Sequence, residues 1–199
     1  MSRSPLALLL HGLGHDPARA VATFAPALRP DAMLVAPPGP FAFGDEGGRG
    51  WFGVAFTDAG PVADMEQEAA SRAVVLELAA AQRNAPLLLG FGQGGAVALT
   101  AFLERPDLFA GCAVAGGRLL TEALAVLPPT PAHRGKPLFW AHGRADPAIP
   151  FAAAEAGRAA LAAYGVDLRI ADHAGGHELP GDAAAALSDW RDHCWAGAV

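Results

Sequence analysis

Basic clusters are missing from this sequence: 14 lysines and arginines stand against 20 acidic residues in 199, a formal net charge of −6. Without a basic stripe, nucleic acid and anionic membrane are excluded as principal partners. Long apolar runs are missing too, none approaching the roughly 18 residues of a membrane span. The run Leu6–Leu10 near the amino terminus is cut by His11 before any cleavage site, so it reads as a core strand rather than a signal peptide. Cysteine is scarce. Cys112 and Cys194 have no metal-ligand spacing and make no disulfide framework, which reads as two reduced structural thiols in a cytoplasmic protein. His15, His133, His173 and His193 show no ligand spacing either and read as solvated, whereas His11 and His142 end strands and read as structural.

Apolar residues are plentiful: they make up 52% of the chain against 17% charged, a balance that builds a core and argues against disorder. The length suits one domain, spanning 1–199. Short apolar runs at Leu6–Leu10, Met33–Ala36, Leu87–Leu89, Gly111–Ala115, Leu138–Ala141 and Val166–Ala171 read as strands. Between them lie helical stretches at Arg19–Leu28, from the Asp64 cap to about Arg83, at Ala96–Leu103, Ala152–Tyr164 and Asp182–Trp195. In the second, Met65, Ala69, Ala73, Leu76 and Ala80 fall near one face. Phe41–Gly60, glycine-rich with aromatic insertions, is too long for a connector and reads as a pocket-shaping or mobile loop, and Leu127–Pro137 as a surface loop. Strands alternating with helices predict an α/β protein with a mostly parallel sheet covered on both faces.

The stretch Pro86–Thr100 organises the rest. A buried strand runs through a tight glycine-rich turn into an apolar helix, the setting of a nucleophile elbow, and the register is Gly90-Phe91-Gly92-Gln93-Gly94. The serine of G-x-S-x-G is therefore glycine. Gly90, Gly92 and Gly95 also spell G-x-G-x-x-G, but the next strand ends in Ala115-Gly116-Gly117, with no carboxylate to hold a ribose. Nucleotide binding is disfavoured. In a parallel sheet, functional groups collect past the carboxyl ends of the strands. There lie the loop from His11 to Asp16, position 92, Asp146 and His177, with the last three in the order nucleophile, acid, histidine.

Five pieces, in order along nearly the whole chain, resemble the phospholipase/carboxylesterase family of α/β-hydrolases, which includes acyl-protein thioesterases and small bacterial carboxylesterases. They are Leu10-His11-Gly12-Leu13-Gly14, Gly48-Arg49-Gly50-Trp51-Phe52, Gly90-Phe91-Gly92-Gln93-Gly94-Gly95, His142-Gly143-Arg144-Ala145-Asp146-Pro147 and Gly176-His177-Glu178. The family's elbow reads Gly-Phe-Ser-Gln-Gly-Gly, which places Gly92 on the nucleophile. The resemblance implies an α/β-hydrolase fold without a large cap domain, and Asp146 and His177 as the other triad members. It also implies an oxyanion hole from the N–H groups of Leu13 and Gln93, and a substrate pocket bounded by Gly14, Trp51 and Phe52. The implied substrate is a small or medium ester or thioester, with no cofactor or metal, in a monomer or homodimer. The segment Gly14-His15-Asp16 departs from the family's commoner Gly-Asp spacing.

Glycine at position 92 leaves three readings. The chain is an ester hydrolase whose nucleophile has been replaced. Alternatively, it is a natural lyase, isomerase or cofactor-free oxygenase that uses His177 and Asp146 as a general base. In the third reading it is a catalytically silent protein that binds a small ligand.

Overall fold

Alternation along the strands decides the architecture. The computed structural model describes residues 5–45, 47–58 and 60–196. Six parallel strands make the main sheet: β1 (Leu6–Leu10), β2 (Met33–Val35), β7 (Leu87–Phe91), β8 (Gly111–Ala115), β9 (Pro137–Gly143) and β10 (Asp167–His173). They lie in the order β10-β9-β8-β7-β1-β2. Successive side chains point to opposite faces. Leu8, Leu88, Cys112, Leu138 and Trp140 join one core layer, under helices α2 (Met65–Ala80), α3 (Gln93–Glu104) and α4 (Phe151–Leu161). Leu9, Leu87, Leu89, Ala113 and Phe139 join the other, under α1 (Pro17–Phe24) and α5 (Gly181–Ala196). With both faces covered, β7 and β8 are buried at every position, which is why they read as continuous apolar runs.

Helix starts follow their caps. The Asp16 side chain accepts from Arg19 N, with Pro17 opening α1, and the Asp64 side chain accepts from Glu66 N and Gln67 N.

Three expectations are corrected. Helix α2 does not centre its burial on the face through Met65, Ala69, Ala73, Leu76 and Ala80, of which Met65 and Leu76 pack half-buried against the core; its fully buried residues are Glu68, Ser71, Arg72, Val75 and Ala79. Polar residues can face the core because each finds a partner there, although Glu68 Oε2 and Arg72 Nε are left without a hydrogen bond: Thr100 donates to Glu68, Arg72 pairs with Glu104 at 3.0 Å, and the Ser71 hydroxyl donates to Trp51 O. Phe41–Gly60 is not irregular. It contains the antiparallel ribbon β3–β4 (Phe41–Phe43, Gly48–Gly50) and β5 (Val54–Thr57), which pairs with β6 (Gly60–Ala63). His133 and His173 are buried rather than solvated. The His133 ring accepts from Thr130 N at 2.9 Å and lies 2.8 Å from Leu103 O, so the segment around it is anchored inward.

Candidate active site

Because the strands are parallel, the loops after β1, β7, β9 and β10 leave the sheet at one edge. The elbow is the sharpest of them. Strand β7 ends at Phe91 and α3 begins at Gln93, so Gly92 alone makes the turn, at φ 54° and ψ −116°. A non-glycine residue held in such a region costs about 1–3 kcal/mol. The other glycines of the motif serve packing. A Cβ on Gly90 would lie 2.3 Å from Gly94 O, so strand and helix meet too closely for any side chain, with no appeal to a nucleotide.

The loops after β9 and β10 interlock. Arg144 N donates to His173 O at 2.8 Å and Ala145 N to Gly175 O at 3.1 Å. This holds Asp146 beside His177. The fully buried Asp146 carboxylate accepts at Oδ1 from Ala148 N (2.8 Å) and Ile149 N (2.9 Å), and its Oδ2 takes His177 Nδ1 at 2.7 Å. Burial by itself would raise this carboxyl. The donors Ile149 N, His177 and Ala148 N, with the charge interaction of His177, outweigh burial and hold it below the ordinary value. With the carboxylate on Nδ1–H, the Nε2 atom is the free acceptor. It faces the elbow: a Cβ on Gly92 would lie 3.1 Å from it.

Leu13 and Gln93 have no hydrogen-bond acceptor for their backbone N–H groups among the described residues. Gln93 is the first residue of α3, where such N–H groups are ordinarily orphaned and the dipole favours negative charge. Its side chain is occupied elsewhere: Oε1 accepts from Trp51 N at 2.8 Å and Nε2 donates to Phe52 O at 2.6 Å. The loop after β1 is pinned by Gly14 N to Arg49 O (2.9 Å) and by Trp51 Nε1 to His11 O (2.8 Å).

Position 92, Asp146 and His177 thus come together, with Leu13 and Gln93 on the adjoining backbone. Gly14 is exposed beside Phe43. Trp51 and Phe52, expected to wall the pocket, lie in the core at 0% and 4% exposure and support the loop from beneath. Phe91 and His15 face the site instead; the Phe91 ring centroid is 4.7 Å from His177 and 6.1 Å from His15. Sequence reasoning missed both, since neither the x of G-x-S-x-G nor a lone loop histidine carries a signal by itself. Neither thiol can serve as an alternative nucleophile: both are buried, and burial pushes Cys112 up and Cys194 up to about 12. Among the described residues no group of three or more His, Cys, Asp or Glu could hold a metal ion, and no helix is long and apolar enough to cross a membrane.

His11 and His142 are kept neutral. The His11 ring bonds Gly12 O through Nδ1 and accepts from Gly39 N at Nε2, both at 2.8 Å, so protonation would cost it the Gly39 contact. His142 Nε2 bonds Ile149 O at 2.9 Å, while its buried Nδ1 has no partner for a proton. Burial lowers both below their ordinary value, outweighing the raising effect of the Gly12 and Ile149 carbonyls. In the unfolded chain they titrate near 6.5, so below about pH 6.5 the unfolded state binds the extra protons. Stability is therefore expected to fall as pH drops from 6.5 towards the depressed folded values, by up to about 1.4 kcal/mol per pH unit per proton. Urea midpoints between pH 8 and 5 measure this. A His142→Gln variant should show a shallower slope.

Gly143 ends β9 where the His177 loop crosses it, and a Cβ there would lie 2.1 Å from Gly176 O and 2.3 Å from Gly175 O. Both obstacles are backbone. Gly143→Ala is expected to destabilise the protein by about 3 kcal/mol, read by denaturant unfolding, and to shift the amide resonances of the loop bearing His177.

The family model described as Phospholipase/Carboxylesterase matches residues 2–190. The chain is 30% identical over 178 residues to esterase YpfH of Escherichia coli K12, covering 83% of this chain and 72% of that protein. It is 36% identical over 151 residues to NocK of Nocardia uniformis subsp. tsuyamanensis, covering 74% of this chain and 41% of NocK, so it spans well under half of that relative's length. The structure of Zea mays acyl-protein thioesterase 2 superposes with a TM-score of 0.83 at 20% identity, covering 98% of this chain and 95% of that one, which extends the likeness to the fold. Matched over nearly its whole length by the family pattern and folded around the same parallel sheet, the chain belongs to the phospholipase/carboxylesterase family of α/β-hydrolases.

Proposed function

We propose that this site is the apparatus of a carboxylic-ester or thioester hydrolase, complete except at the nucleophile, where Gly92 supplies no attacking group. The observation that carries this reading is His177, tied at Nδ1 to Asp146 (2.7 Å) and presenting Nε2 to the elbow. In the intact form of the chemistry, a serine hydroxyl at 92 gives its proton to His177 Nε2 and attacks the carbonyl. The Leu13 and Gln93 N–H groups hold the resulting oxyanion, and His177 returns the proton to the departing alcohol or thiol. Asp146 fixes the imidazole tautomer and stabilises its charged form. Gly14, with Leu13 and Phe43 exposed beside it, edges the acyl side. The chain as it stands is therefore impaired in hydrolysis. The test is hydrolysis of short-chain p-nitrophenyl esters by the unaltered chain, by Gly92→Ser, and by Gly92→Ser with His177→Ala. Activity that appears with serine and vanishes with the histidine supports the reading; a folded but inert Gly92→Ser protein overturns it.

One observation favours a second reading. His177 Nε2 is closer to the space of a residue-92 side chain than ordinary van der Waals contact allows. A base so advanced suits proton abstraction from a carbon acid, with the same N–H pair holding an enolate. That reading requires turnover by the unaltered chain, abolished in His177→Ala.

A further inference from the structure

A cavity of about 390 Å³ opens on the flank of His177, between α1 and the loop after β10. His15, Arg19, Thr23, Phe91, His177 and Leu179 line it. Its position assigns its role, because the histidine that returns a proton must reach the departing atom, so the departing group lies on the histidine's side of the carbonyl. Its walls are apolar at Phe91 and Leu179. Its positive charge comes from Arg19, an exposed guanidinium that makes no ion pair among the described residues. We propose that this cavity is the leaving-group subsite and selects an alcohol or thiol carrying a negative charge, with Arg19 as the anion's partner and His15 and Phe91 as the walls.

Of the two acidic groups nearby, Asp16 is committed elsewhere. Asp16 Oδ1 accepts from Arg19 N at 2.8 Å as the cap of α1. Glu178 also lines the cavity, exposed and without an ion pair among the described residues, so it competes with Arg19 for the sign of the bound group, and the ammonium ligand below tests which of the two prevails. The field at His15 agrees. Burial lowers its titration, and Arg19, His11 and His177 push the same way against Asp16 alone. A guanidinium beside an apolar wall, next to an imidazole that resists protonation, suits a compact anion such as an aromatic carboxylate.

The inference rests on the hydrolase reading for calling the bound group a leaving group, so its test is equilibrium binding, which needs no nucleophile. The unaltered chain is titrated with 3-hydroxybenzoate, with neutral 3-hydroxybenzamide and with cationic 3-hydroxybenzylammonium, following the His15 and Thr23 resonances. At low ionic strength the carboxylate is expected to bind about fivefold more tightly than the amide, an advantage that shrinks below about twofold at 0.5 M salt. Arg19→Gln should erase the difference. Equal binding of acid and amide, no saturable binding of either, an advantage that survives Arg19→Gln, or preference for the ammonium through Glu178 would each overturn the proposal. The two readings fail separately. An active Gly92→Ser enzyme with no preference for acetyl 3-hydroxybenzoate over its amide counterpart sinks the subsite alone. An inert one whose cavity still discriminates the carboxylate sinks the hydrolase alone.

Discussion

Gly92→Ser is expected to raise hydrolysis of short-chain p-nitrophenyl esters by about 10⁴-fold over the unaltered chain. In subtilisin the nucleophile alone is worth about 10⁶ in kcat, which sets the ceiling. Against that ceiling stands geometry. The new Cβ would meet His177 Nε2 at 3.1 Å, so the ring must withdraw by a few tenths of an ångström. A misplacement of about 1 Å can cost roughly 10²-fold, which brings the expected gain to about 10⁴. The fold bears the change, since a side chain at φ 54° costs about 1–3 kcal/mol, a part of a typical domain's stability. Initial rates, with a burst of p-nitrophenol equal to the enzyme concentration, measure the outcome. A gain below tenfold in a folded protein would overturn the hydrolase reading.

Asp146→Asn in the Gly92→Ser background is expected to lower kcat again by about 10³–10⁴-fold, and the hydrogen bonds fix why. Ala148 N and Ile149 N both donate to Oδ1, so an amide must keep its oxygen there and turn its NH₂ towards His177. The Nδ1 atom, which now donates to Oδ2 at 2.7 Å, would instead have to accept. The proton then moves to Nε2, which can no longer take one from serine. Equal melting temperatures with the rate lost would identify the tautomer as the cause. A loss below tenfold would show that His177 is held by its surroundings without Asp146.

Where the sequence was legible, the signal was local. β1, β7, β8 and β9 form where short apolar runs end in glycine or histidine turns, and α2 starts at its Asp64 cap, whereas α1 starts at Pro17 behind an Asp16 cap, ahead of the expected Arg19. The elbow was legible because a strand, a glycine-rich turn and an apolar helix follow one another without interruption. Helix α2 misled because Glu68, Ser71 and Arg72 look like a solvated face until Thr100, Glu104 and the Trp51 carbonyl meet them. Trp51 and Phe52 misled in the opposite sense. Their backbone is clamped by Gln93, which draws the rings into the core and leaves Phe91 and His15 to face the site.

The sequence by itself determined the alternating strands and helices, the edge of the sheet at which Gly92, Asp146 and His177 fall, and the glycine at position 92. These follow from backbone preference and side-chain period, which neighbouring residues set among themselves. Tertiary structure alone decided the 2.7 Å contact of His177 with Asp146, the advance of Nε2 towards Gly92, and the cavity that brings Arg19 beside His177. Those contacts join loops after different strands, so they exist only once the strand order places β10 beside β9 and the two loops interlock through Gly143 and Gly175.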